Sequence, residues 1–62
     1  MKTRYKVGDQ IVIVDSIYYV GEIGTIKKIG KWLGQVFYDI KVPGVRGELR
    51  YTASSIRLYK RR

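Results

Sequence analysis

The residues with usable chemistry in this 62-residue sequence are cations and aromatic rings, and the two are interleaved. Lys27, Lys28 and Lys31 lead into Trp32. Arg46 and Arg50 flank Gly47 and precede Tyr51. Arg57 comes just before Tyr59 and the basic tail Lys60-Arg61-Arg62, and Lys2, Arg4 and Lys6 open the sequence. Tyr18 and Tyr19 stand side by side. Cations spaced along a surface neutralise phosphates without reading sequence. Exposed rings stack on unpaired bases, worth about 1–3 kcal/mol per base. The candidate nucleic-acid-binding set is therefore Tyr18, Tyr19, Lys27, Lys28, Lys31, Trp32, Arg46, Arg50, Tyr51 and Arg57. The competing explanation for any one cluster is plainer: a charge run solvates a face, and loop tyrosines fold back to close the ends of the fold. Of the Tyr18/Tyr19 pair, one ring is expected to pack and the other to stay exposed. Trp32, next to Lys31 and between Gly30 and Gly34, is expected to be partly exposed.

Other chemistries lack their residues. There is no histidine and no cysteine, so the commonest general base and the strongest nucleophile are missing. Ser16, Ser54 and Ser55 have no base near them in sequence. The five carboxylates are scattered and form no ligand cluster. We therefore expect no enzyme, no metal and no cofactor. The charge balance points elsewhere: thirteen Lys/Arg against five Asp/Glu give a formal charge of +8, which favours a polyanionic partner, nucleic acid foremost. Net charge also keeps small domains soluble. No apolar run approaches the ~18 residues of a membrane span, and no apolar segment follows the basic start before Gly8-Asp9. The expectation is a cytoplasmic protein, free or associated with nucleoid or ribosome, with no membrane partner, as a monomer or small homo-oligomer.

The elements that must position these groups are short strands. Valine, isoleucine, tyrosine and threonine dominate, and glycine recurs every few residues. Gln10–Asp15 reads as a first strand, apolar on both faces and so expected to be buried on both sides. Ser16–Gly21 is a loop. Glu22–Ile29 is a second strand, with Gly24 marking a bulge, a bend or a close backbone approach. Gly30–Gly34 reads as a connection. In Gln35–Val42 the set Val36, Tyr38, Ile40, Val42 alternates with Gln35, Phe37, Asp39, Lys41, and the first set is the expected core face. Pro43-Gly44 predicts a type II turn. Gly47–Thr52 is a fourth strand, Ala53-Ser54-Ser55 one helical turn, and Ile56–Tyr59 a brief last strand. Five short strands with a helical turn before the fifth predict one all-β domain, a small barrel, with residues 1–6 as a basic arm and 60–62 as a basic tail.

Between Val7 and Ile29 the sequence resembles the KOW-type hairpin of SH3-like barrels. Gly8-Asp9, Ile11, Ile13, Gly21, Gly24-Thr25-Ile26 and Lys27-Lys28-Ile29 fill its places, and Tyr51–Leu58 is similar to the strand–turn–strand close of many such barrels. The resemblance implies a five-stranded SH3-like barrel. It also implies a binding role: KOW domains touch RNA or protein in ribosomal and transcription-elongation proteins, and basic SH3-like barrels of integrases bind DNA. A photosystem I barrel subunit of similar size docks on proteins instead. In a plasmid-encoded reductase barrel, a Val-Gln-Ile-Tyr strand would fall on Glu48-Leu49-Arg50-Tyr51, where only the tyrosine matches. The expected function is a non-catalytic nucleic-acid-binding module with little sequence readout. The alternative is a protein–protein docking module or structural subunit.

Overall fold

The structure is a computed structural model that describes residues 3–60. Lys2, Arg61 and Arg62 of the expected basic arm and tail lie outside the described residues. Five strands, β1 (Gln10–Ile13), β2 (Ile23–Trp32), β3 (Gln35–Lys41), β4 (Leu49–Tyr51) and β5 (Ile56–Leu58), form one antiparallel sheet in the order β4-β3-β2-β1-β5. A 3-10 turn, Ala53–Ser55, joins the two edge strands, at the position where the sequence predicts a helical turn. Its last carbonyl, on Ser55, accepts from the amides of Val14 and Asp15 and so ties the end of β1 to the turn before β5.

The inward face follows from period-two alternation. Ile11 and Ile13 from β1, Ile26 from β2, Tyr38 and Ile40 from β3, Val42 just beyond it and Ile56 from β5 are buried together. Val36 packs against this cluster, so the core face expected for β3 is the one found. Tyr5 joins the core as well. Its ring stands edge-on to Tyr38 at 5.4 Å and its hydroxyl donates to the Ile56 carbonyl at 3.4 Å. The segment read as a basic arm thus carries a core residue, with the exposed Arg4 and Lys6 on either side of it. The Gly8-Asp9 turn is fastened twice: the Asp9 amide donates to the Lys6 carbonyl, and the Lys6 amide donates to Asp9 Oδ2, each at 3.0 Å.

Three expectations change. β1 is buried on one face only: Val12 is half-buried and Val14 exposed, because the sheet is a single layer with solvent on its outer side. Of the readings open for Gly24 the bulge falls away and the close backbone approach holds, because the irregularity in β2 lies further on. Ile26 pairs with Ile40 and Lys28 with Asp39, so Lys27 is the extra residue of a β-bulge. Finally, β2 runs on to Trp32, and the connection shrinks to Leu33-Gly34. Both of these residues have positive φ, 51° and 78°, as a type I′ hairpin turn requires. A left-handed conformation costs an ordinary side chain roughly 1–2 kcal/mol, and leucine is an unusual occupant of it.

Gly24 instead marks a close approach. A Cβ built there would lie 2.5 Å from Ile40 Cγ2 and 2.9 Å from the Lys41 carbonyl oxygen. The carbonyl belongs to the β3 backbone and cannot rotate aside, so Gly24→Ala must push β2 off β3 beside the core. The expected loss is about 2 kcal/mol, a large fraction of the stability of so small a domain. Urea unfolding of the variant checks it through a lowered midpoint with an unchanged slope.

Candidate nucleic-acid interface

The outer face of β2, β3 and β4 is set by the bulge. Strict alternation from the buried Ile26 would turn Lys28 inward. With Lys27 inserted, Lys27 and Lys28 are both exposed and Ile29 returns to pack on the core. Lys28, Gly30 and Trp32 then share the outer face with their cross-strand partners Asp39, Phe37 and Gln35. Arg50, opposite Asp39 on β4, completes the row.

These residues line a groove of about 420 Å³, bounded by Lys28, Gly30, Lys31, Trp32, Phe37, Asp39 and Arg50. Gly30 has no side chain to cover the ring opposite it, which leaves Phe37 as floor. Trp32 forms one wall and is 68% exposed. Arg50 forms the other. Its Nε–H donates to Asp39 Oδ1 at 3.0 Å, and its guanidinium lies 5.9 Å from the centre of the Phe37 ring. The hydrogen bond and, next, the charge of Asp39 raise the Arg50 pKa above its ordinary value, so the guanidinium stays charged throughout the accessible pH range. That bond occupies one of the five N–H donors of the guanidinium, and the side chain remains 67% exposed. The groove is bordered by three cationic residues and one carboxylate; Lys31 stands opposite the core-packed Val36, so its side chain leaves β2 on the inner side, while Lys28 and Arg50 share the outer face with Asp39. Cationic and aromatic side chains thus border one groove.

Of the candidates read from sequence, the structure gathers Lys28, Lys31, Trp32 and Arg50 here. The others lie outside the groove. Lys27 is exposed at the bulge. Arg46 is exposed in the β3–β4 loop, where Lys41 Nζ latches the backbone by donating to the Val45 carbonyl at 2.6 Å. Arg57 sits on the far edge strand and donates to the Ile56 carbonyl at 3.0 Å. Tyr51 turns inward opposite Tyr38, packs on the core, and shares a hydrogen bond of 2.8 Å with the Ser16 hydroxyl. It is a structural residue rather than a stacking one. Tyr18 and Tyr19 behave as expected of the pair. Tyr19 packs on the core while Tyr18 is exposed, with ring centroids 6.3 Å apart at 67°. Phe37 and Asp39 line the groove and are missing from the sequence-based set. Their signal was present, since both belong to the outward half of the β3 alternation.

The electrostatics of the groove can be read from its tryptophan. Lys28, Lys31 and Arg50 around Trp32 concentrate anions and repel cations at the indole. Iodide is therefore expected to quench Trp32 fluorescence clearly more strongly than caesium, with the difference collapsing at about 1 M salt, where the screening length is near 3 Å. Equal quenching by the two ions would show that the groove carries no positive potential. Comparison with protein-family models, curated proteins and solved structures finds no match to this chain.

Proposed function

We propose that this protein is a non-catalytic nucleic-acid-binding module. One observation carries the reading: the exposed ring of Trp32 and the ring of Phe37 lie in one groove with Lys28, Lys31 and Arg50. Phosphates would meet the three cations, and a base would meet Trp32 or the flat face of the Arg50 guanidinium. A cationic ligand is disfavoured, because the one carboxylate in the groove is already bonded to Arg50. The formal charge of +8 extends the attraction beyond the groove. The KOW-type hairpin resemblance over Val7–Ile29 agrees with this role and with an SH3-like barrel acting in the cytoplasm, at nucleoid or ribosome.

A second reading has its own observation. Ile17, Tyr18 and Val20 of the β1–β2 loop are exposed, and Asp15 and Glu22 flank them. This apolar loop favours a protein partner docked away from the groove.

Salt dependence separates the two. Binding of short DNA or RNA strands is expected to weaken with salt at a log–log slope near −2, from three phosphate contacts at about −0.7 each on a single strand. Lys28→Gln or Lys31→Gln lowers the magnitude of the slope by about 0.7. Trp32→Ala costs about 1–3 kcal/mol of affinity for unpaired strands and leaves the slope unchanged. Fluorescence anisotropy of labelled oligonucleotides measures all three, with heparin as a polyanion control. Absence of binding at low salt, or affinity no better than for heparin, would overturn the reading and turn attention to the apolar loop.

A further inference from the structure

Two departures from ordinary turn chemistry meet at Leu33. The first central position of a type I′ turn favours Asn, Asp or Gly, yet leucine occupies it at φ 51°. Its side chain is also 89% exposed, so it contributes nothing to the core that would offset the strain. Strained residues of this kind cluster where a ligand is met. The setting of the turn gives the ligand's character. β4 accompanies β3 only along Tyr38–Ile40, and β1 accompanies β2 only as far as Thr25. From Gly30 to Phe37, therefore, β2 and β3 run on as a two-stranded ribbon with no third strand beside it among the described residues. The exposed pair Trp32 and Leu33 forms its end, with Lys31 next to them in the ribbon and Lys28 and Arg50 at its base.

Charge complementarity selects a polyanion for this tip. The exposed apolar residues of the β1–β2 loop lie between Asp15 and Glu22, whereas Leu33 stands two residues from Lys31. An aliphatic side chain has no ring to stack on a single base and gains nothing from phosphate. It does gain by leaving water for the apolar space between stacked base pairs, which is how apolar wedges open duplex steps. A two-stranded ribbon is also an element that a DNA groove admits.

We propose that the Trp32-Leu33 tip is a wedge that inserts between adjacent base pairs of duplex DNA and unwinds the step, while Lys28, Lys31 and Arg50 hold the flanking phosphates. This inference rests on the nucleic-acid reading above and narrows it to a duplex deformed at the point of contact. It also explains why the turn keeps an exposed leucine that the fold does not need.

The test is to relax closed circular DNA with a topoisomerase in the presence of the protein and to read the linking number after the protein is removed. The wild-type chain is expected to shift the linking number in proportion to the amount bound. Leu33→Asn places a tolerated residue in the left-handed conformation, so it should melt at or above the wild-type temperature. It should also bind duplex DNA on the order of tenfold more weakly and produce no shift at saturation. Leu33→Met, which keeps an apolar wedge, should retain the shift. Lys31→Gln should bind more weakly with a shallower salt slope, yet still shift the linking number once saturated. DNA binding by the wild type without a shift, or an undiminished shift by Leu33→Asn, would overturn the wedge and leave the nucleic-acid reading standing. Failure of the wild type to bind DNA at low salt would overturn both.

Discussion

The ladder between β2 and β3 changes register between Ile26 and Lys28, and the groove depends on that one inserted residue. Side chains alternate across a strand, so a strand with a fixed core contact has no freedom in what it presents outside. Ile26 must face inward because Ile40 opposes it and both are fully buried. Without the bulge, Lys28, Gly30 and Trp32 would follow Ile26 toward the core, where a lysine would be buried without a partner. With it, Ile29 takes the inward place opposite Tyr38, and Lys28, Gly30 and Trp32 form the outer wall of the groove. One local irregularity thus preserves the core and assembles the site.

The same economy governs the rest of the chain. Among the described residues the core consists of eight buried side chains, with no disulfide to reinforce it and with the Tyr5 hydroxyl donating to the Ile56 carbonyl inside it. Its stability rests on close strand approach, as at Gly24 against β3, and on tying the segment before β1 into the core through Tyr5. Among the described residues, polar groups with strong electrostatic roles lie on the surface. Arg50 and Asp39 form an ion pair there, and it serves geometry more than stability: it holds a flat cation against Phe37 and beside the lysines of β2. An exposed pair of this kind is screened by solvent and contributes little to folding. Leu33 is the opposite case, a residue that works against the fold at a place where the fold is free to tolerate it.

Much of the fold was legible in the sequence, because strand alternation and turn chemistry are local. The core face of β3, the 3-10 turn at Ala53–Ser55 and the Pro43-Gly44 turn all follow from neighbouring residues. In that last turn Gly44 has φ 87° and the Val45 amide donates to the Val42 carbonyl at 3.0 Å. The bulge was not legible at Lys27, because nothing in Ile26-Lys27-Lys28-Ile29 says which lysine is the extra residue. That is decided by Ile40 and Asp39 on another strand. The extension of β2 through Trp32 was missed for a related reason. Gly30 and Gly34 look like the ends of a loop, yet Gly30 is a strand residue opposite Phe37 and only Gly34 has positive φ. Site membership followed the same line. Lys28, Lys31, Trp32 and Arg50 were identified by type, but Phe37 and Asp39 join them only through cross-strand register, and the same register turns Tyr51 away.

The proposed function rests on one surface, the outer face of β2, β3 and β4, as the place where nucleic acid would be met. Amide chemical-shift mapping of the isotope-labelled chain, titrated with a short DNA duplex at low salt, tests this most directly. Binding at this face predicts shifts concentrated in Lys28–Phe37 and at Asp39 and Arg50, reversed by added salt, with Ile17–Val20 and the β5 edge unmoved. Shifts centred on Ile17–Val20, or spread evenly over every exposed lysine and arginine, would contradict it.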